Sequence, residues 1–477
     1  MNSQTNNVNW AKANWTPTKK EQKSLKLHNF VEDLERVDQI WPYLSDKCGE
    51  VLAVDAPHSS PPESATYKQL SERISIAARA FHSFGIQSGD VVALFSENSP
   101  RWLVVDQGLM RLDAIDAVRG VSAPLEELKY ILKDCKAIAL VVQNADLWRK
   151  LCLSDDQKGR FKIVLQLEGE PEAGLIGWEE FLLKGLEKEE IDSINSRETN
   201  LASSSIATIL YTSGTTGKPK GVPLSHGNLL HQIRALACVA NPAPGSPVLS
   251  VLPIWHSYER SAEYYFFSCG CSQTYTTIKK LKIDLPRVRP IVMATVPRLW
   301  EAIQAGFNDA VKEMPPSRQN LLKSALKNSV AYKMALRKCR ALLIEKVDIL
   351  QRAISLLEVG FRFPLHALSD SFLWPKVLKQ LCGGRLRFPI SGGGAIAPHV
   401  DAFFEAIGVE LLVGYGLTET SPVVSCRRPW RNIRGSSGLP LPETEFRILD
   451  LEDRSLKKIN EKGIVMVRGP QVMSGYL

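Results

Sequence analysis

Short segments with almost no polar face constrain this chain more than any other feature. "VVALF" at 91–95 and "AIALVVQ" at 137–143 are strands that must be covered on both sides, and helices packed on both faces of a parallel sheet supply that cover. From 28 to about 197, such strands alternate with helical patterns. One of these, 67–84, puts Leu70, Ile74, Ala77, Ala78 and Phe81 on a single stripe. The alternation resumes at "IATILY" (206–211), "VLSVLP" (248–253) and "IVMATVP" (291–297). The pattern predicts an α/β fold, with two α/β subdomains built on mostly parallel sheets. Within 310–379, Leu321, Leu322, Ala325, Leu326 and Val330 recur at helical spacing, which predicts a helical insertion before "LRFPISGGG". After Cys426, "TEFRILD" and "GIVMVRG" alternate at period two around a charged turn, the pattern of a half-exposed antiparallel hairpin. The expected organisation is a tail at 1–27, a first α/β subdomain at 28–200, a second at 201–425 with its insertion at about 310–380, and a small β unit at 426–477.

A chain of 477 residues exceeds one small core. Its nine cysteines show no CxxC spacing, which argues against a zinc site or a disulfide framework and leaves them as packing residues. The net charge of +8 is concentrated in one place. Between 317 and 346, Arg318, Lys323, Lys327, Lys333, Arg337, Lys338, Arg340 and Lys346 face Glu345 alone. A solvated helix face and a contact with an anionic membrane or acidic partner both fit that charge. No run of eighteen apolar residues occurs, so no spanning helix is expected. The first twenty residues lack acids, arginine and an apolar core, which excludes a secretory signal and only hints at a transit peptide.

The segment "YTSGTTGKPKG" opens directly from the apolar strand at 206–211. Glycines let backbone N–H groups approach a ligand and form a nest for an anion. Thr215 and Thr216 add hydroxyl donors, and Lys218 and Lys220 add charge that can neutralise phosphate. The spacing is not that of a Walker A loop. Two weaker motifs follow. "GYGLTETSP" at 414–422 offers Tyr415 for stacking, Thr418 as a donor, and Glu419 as an oxygen ligand for Mg²⁺. "SGGGAIAP" at 391–398 offers room for a flat ring against bare backbone.

Together, in this order, the three motifs resemble the adenylate-forming superfamily of acyl-CoA synthetases, luciferases and adenylation domains. "GDVVALFSENSPRW" and "GSSGLPLPETEFRILD" extend the resemblance over nearly the whole chain. "DAVRG", "GNLLHQI", "LPIWHSYERSAEY" and "YGLTETSPVVS" are most similar to plastid and cyanobacterial long-chain fatty acyl–acyl carrier protein synthetases. That resemblance implies the large amino-terminal lobe of the adenylate-forming fold. It also implies an AMP-forming acid–thiol ligase using ATP and Mg²⁺, with a long-chain fatty acid as substrate and acyl carrier protein or coenzyme A as acceptor.

By resemblance, Thr212, Ser213, Gly214, Thr215, Thr216, Gly217, Lys218 and Lys220 would hold the β and γ phosphates. Gly392, Gly393, Gly394, Gly414, Tyr415 and Gly416 would bed the adenine, with Thr418 near the α-phosphate. Thr212 and Glu419 would bind the metal, and Thr212, Lys220 and Glu419 would be the catalytic residues. Trp255 and His256 fall at the mouth of an acyl tunnel, where a substrate contact and plain packing are both open. In the superfamily, a ribose-binding aspartate and a lysine-bearing terminal lobe follow "RGPQVMSGY"; this sequence stops at Leu477. The expectation is a chain without that lobe that adenylates poorly, or alternatively a non-catalytic acyl- or nucleotide-binding module. Transfer to an amine or to oxygen is disfavoured, and no nucleic-acid partner is expected. The subgroup implies a plastid or a cyanobacterial cytoplasm, with peripheral membrane contact through the basic insertion.

Overall fold

The computed structural model describes residues 17–187, 202–212 and 218–477. Two large sheets form its framework. One has seven strands in the order Ile176–Gly177, Val164–Gln166, Ala139–Val142, Val91–Phe95, Ile115–Arg119, Ile206–Thr212, Lys220–Ser225. All neighbours are parallel except the last pair, which form a hairpin around the glycine-rich segment. The other sheet has nine strands, parallel from Leu52–Ala56 through Ser272–Tyr275, Pro247–Ser250, Val292–Thr295 and Phe388–Ser391 to Leu412–Gly416. Antiparallel strands close both of its edges.

The apolar segments form the interior strands, as wholly apolar strands must. Tyr67–Ser83 is a helix capped by Thr66, and all five expected stripe residues are buried. The hairpin pairs Glu445–Leu449 with Ile464–Arg468 in antiparallel register. All nine cysteines are unpaired, and six are buried.

The strands do not divide at residue 200. Leu52–Ala56 pairs with Ser272–Tyr275 in the nine-stranded sheet, and Ile206–Thr212 pairs with Ile115–Arg119 in the seven-stranded one. Each half of the chain therefore lends strands to the other half's sheet. Between the sheets runs Ser257–Ser268, a helix buried at every position except Tyr258.

The insertion is helical, formed by Pro316–Cys339 and Ile349–Phe372 packed as a pair. Leu322 and Ala325 point inward, but Leu321 is 62% exposed, so the inward stripe is narrower than its spacing predicts. Arg337, counted with the surface charge, is buried. Its Nε donates to both Glu405 oxygens at 2.8 Å, because the helix end packs onto the segment bearing Glu405 and Asn432.

Candidate active site

Strand pairing joins Thr212 to Lys220, which flank the glycine-rich segment. Ser213, Gly214, Thr215, Thr216 and Gly217 lie outside the described residues. Thr212 and Lys220 are half-buried, and Lys218 is exposed. The Lys220 ammonium sits 5.0 Å from the centre of the Tyr476 ring, and the Tyr476 hydroxyl donates to Glu419 Oε1 at 2.8 Å. One tyrosine thus joins Lys220, at the start of its strand, to the lone carboxylate of "GLTET". Its segment is laced in place by backbone bonds, from Met473 N–H to Glu419 O and from Leu477 N–H to Gly221 O, both 3.0 Å. The Asn228 amide donates to Pro470 O at 2.7 Å. The sequence reading assigned Tyr476 no role; its position one residue after the last glycine gave no signal.

Beside this line lies a largely apolar cavity. Gly392, Gly393, Gly414, Tyr415, Gly416, Thr418 and His256 line it, and Leu236, Val239, Ala262 and Phe266 make its wall apolar. Two of the glycines are required by contact. A Cβ on Gly392 would stand 2.9 Å from the Tyr258 ring, and one on Gly416 would stand 1.8 Å from the Pro422 carbonyl oxygen. Gly394 is not among the lining residues.

Local hydrogen bonds hold these walls. The Gln232 side chain mimics a strand: its amide donates to Val423 O at 3.1 Å and its carbonyl accepts Val423 N–H at 3.0 Å. Ser421 has a left-handed φ of 66°. Its carbonyl accepts from Ser261 Oγ at 2.6 Å, and its hydroxyl donates to Gln471 O at 2.9 Å. Ser257 Oγ donates to Thr418 Oγ1 at 3.3 Å, which places Thr418 at the amino end of the central helix.

Trp255 and His256 part ways. Trp255 is not among the lining residues. Its indole N–H donates to Glu97 Oε2 at 3.1 Å, Arg119 lies 4.8 Å over its ring, and the ring fills the space that a Cβ on Gly120 would take. His256 lines the cavity; its Nδ1 accepts Tyr258 N–H at 3.3 Å as a helix cap. Burial, reinforced by Arg119, holds its imidazole below the usual range. Asn98 fixes the approach to both residues, donating to Leu252 O at 2.7 Å and accepting from Ile254 N–H at 2.8 Å.

Beneath the cavity, Arg260 ties the central helix to the seven-stranded sheet. It donates to Asp116 Oδ2 at 2.7 Å, to Thr208 Oγ1 at 2.6 Å, and to Asp106. All four side chains are buried. Burial drives the Asp116 carboxyl well up, while the two carboxylates hold the guanidinium charged despite its own burial.

A family model described as AMP-binding enzyme matches residues 46–477. The chain belongs to the AMP-binding enzyme family. The chain is 39% identical over 92% of its length to "Probable acyl-activating enzyme 16, chloroplastic" of Arabidopsis thaliana. It is 38% identical over 92% to the same plant's "Long-chain-fatty-acid--[acyl-carrier-protein] ligase AEE15, chloroplastic". The chain spans 64% and 63% of those two relatives' lengths. Among solved structures, the N-terminal domain of FACL13 from Mycobacterium tuberculosis superposes with a TM-score of 0.64 at 16% identity, covering 93% of this chain and 91% of that one. A long-chain-fatty-acid-CoA ligase (FadD1) from Archaeoglobus fulgidus superposes at 0.67 and 18%, covering 93% and 76%. At such identities these two establish the fold alone, one shared with the N-terminal domain of FACL13.

The donor set of Thr212, Thr418 and Glu419 fits a nucleotide with Mg²⁺. Among the described residues no cluster of three or more His, Cys, Asp or Glu side chains could hold a metal by itself. A lone carboxylate and a hydroxyl suit a hard cation that takes its remaining ligands from phosphates and water. The backbone at Gly393 and Gly414, where a Cβ would meet nothing closer than 3.7 Å, leaves room for a flat ring lying against the chain.

Proposed function

We propose that this chain carries the nucleotide- and acyl-binding lobe of an ATP-dependent ligase for long-chain fatty acids. The reaction joins the fatty carboxylate to AMP with loss of pyrophosphate and then passes the acyl group to a thiol. Acyl carrier protein is the acceptor by likeness to the Arabidopsis ligase, with coenzyme A as the competing acceptor. Likeness to two chloroplastic proteins supports a plastid setting. A peripheral association with membranes, where free fatty acids partition, belongs to the same reading.

The observation that carries it is convergence. Residues 392–393, 414–418 and 256 meet around one apolar cavity, while Lys220 and Glu419 stand on either side of Tyr476. A fatty carboxylate approaching a phosphate meets like charge, which positive groups and donors must offset. Lys220 and Thr418 do so here, and the neutral His256 leaves the acyl mouth uncharged. The apolar wall excludes water from an intermediate that water would hydrolyse. Mg²⁺ held by Thr212 and Glu419 would neutralise further phosphate charge. Ser213, Gly214, Thr215, Thr216, Gly217 and Lys218 complete the polyphosphate contacts in this reading, with Gly394 at the edge of the adenine site.

The test incubates the protein with labelled long-chain fatty acid and Mg·ATP, offering acyl carrier protein and coenzyme A side by side. Slow formation of acyl-adenylate and thioester is expected, with kcat/KM falling about 100-fold further in Lys220→Ala and in Glu419→Gln. Full activity in both variants would overturn the site assignment. Nucleotide binding without any adenylate would favour the binding-module alternative.

A further inference from the structure

The second helix of the insertion is inside out. Along Ile349–Phe372, the positions spaced by three or four residues are Leu350, Ile354, Leu357, Phe361, Leu365 and Leu368, ending at Phe372. All are exposed, Leu357 by 77% and Phe361 by 86%. The residues it buries are instead Ser355, His366 and Ser369. The interface with Pro316–Cys339 is correspondingly polar. His366 Nδ1 and Ser329 Oγ are 2.9 Å apart, Tyr332 stacks on His366 at 4.2 Å, and the Asn328 amide donates to Arg362 O at 3.2 Å.

A helix in water turns such a stripe to the core. One that keeps it outward over about 36 Å of length exposes a contiguous apolar patch of the kind that marks an interaction site. We infer that this stripe is a membrane-docking face, which inserts Leu350 to Phe372 into the headgroup boundary of an anionic bilayer.

Charge selects the bilayer over other occupants. The companion helix Pro316–Cys339 contains no acid, and Arg318, Lys323, Lys327, Lys333 and Lys338 remain after Arg337 is discounted as buried. Two copies meeting through the hairpin would bring two such helices together, at a repulsive cost. An anionic lipid surface attracts them. An acidic protein would answer the charge, but protein interfaces carry hydrogen-bonding groups at regular intervals, and this stripe has none. Interfacial helices combine these same two features, an apolar face and basic residues. This extends the fatty-acid reading by naming the source of the substrate, and it is tested without any activity.

The test is flotation of the protein with vesicles of phosphatidylglycerol and phosphatidylcholine in equal parts, and with phosphatidylcholine alone. The protein should float with the anionic vesicles and markedly less with the neutral ones. Leu357→Glu with Phe361→Glu should weaken flotation roughly tenfold or more, with circular dichroism and Tm unchanged, because both side chains are already in water. Lys323→Glu with Lys327→Glu should remove the preference for anionic lipid. Wild-type protein that fails to float, or floats equally well after the Leu357 and Phe361 changes, overturns the inference. So does light scattering in which those two changes split a dimer, since the face would then bind a second copy. Flotation lost with adenylation intact would separate this inference from the ligase reading.

Discussion

Single residues set the pH behaviour. Burial pushes the Glu259 carboxyl up to about 8, against a usual value of 4.5, while Ser250 donates to it. Between those values the folded chain holds a proton that the unfolded chain has released, so stability falls as pH rises across that window. Glu259→Gln should raise Tm at pH 8 and shallow the decline; buried Glu263, shifted in the same direction, keeps part of the slope. Histidines shape the acid limb. Burial lowers His226 and His231 to about 4 from the usual 6.5. Unfolded histidine binds protons first, so stability is lost as pH falls from 6.5 toward 4. His226→Gln should flatten this limb in denaturant melts taken at several pH values. At Gly416, alanine would push its Cβ into the Pro422 carbonyl and shift the segment bearing Thr418 and Glu419. Gly416→Ala is expected to weaken nucleotide binding by calorimetry and to cost roughly 1–3 kcal/mol in stability.

Among the elements, the helix Ser257–Ser268 matters most. It carries Arg260 toward the seven-stranded sheet, Glu259 and Glu263 toward Ser250 and Tyr275 of the nine-stranded one, and Ser257 toward Thr418. One helix therefore sets the relation of both sheets and the lip of the cavity. Removing Arg260 leaves the buried Asp106 and Asp116 without their shared cation. Arg260→Met should cost about 3–5 kcal/mol in equilibrium denaturation. Changing both aspartates to asparagine in the same background should recover part of that loss.

For the molecule as a whole, exchange of strands makes the two sheets interdependent. Residues 28–200 expressed alone would lack Ile206–Thr212, the neighbour of Ile115–Arg119, and would leave Leu52–Ala56 without its parallel partner. Each piece, 28–200 or 201–425, is expected to be insoluble by itself. Their separate folding, shown by dispersed amide spectra, would contradict the interlocked topology. In the full chain the two sheets are expected to melt together, with fluorescence and circular dichroism coinciding for that transition.

Apolar segments and helical stripes determined the elements, because burial on two faces or on one is written in the spacing of residues along the chain. The glycine motifs determined where the backbone packs too closely for a side chain, as at Gly416 against the Pro422 carbonyl. Tertiary structure alone decided which strand pairs with which, that Arg337 is a buried ion pair, and that Trp255 packs against Glu97 and Arg119 while His256 lines the cavity. It also decided that Tyr476 stands between Lys220 and Glu419, and that one helix turns its apolar side outward. These depend on contacts between residues far apart in sequence, and local periodicity fixes what an element buries without naming the neighbour that covers it.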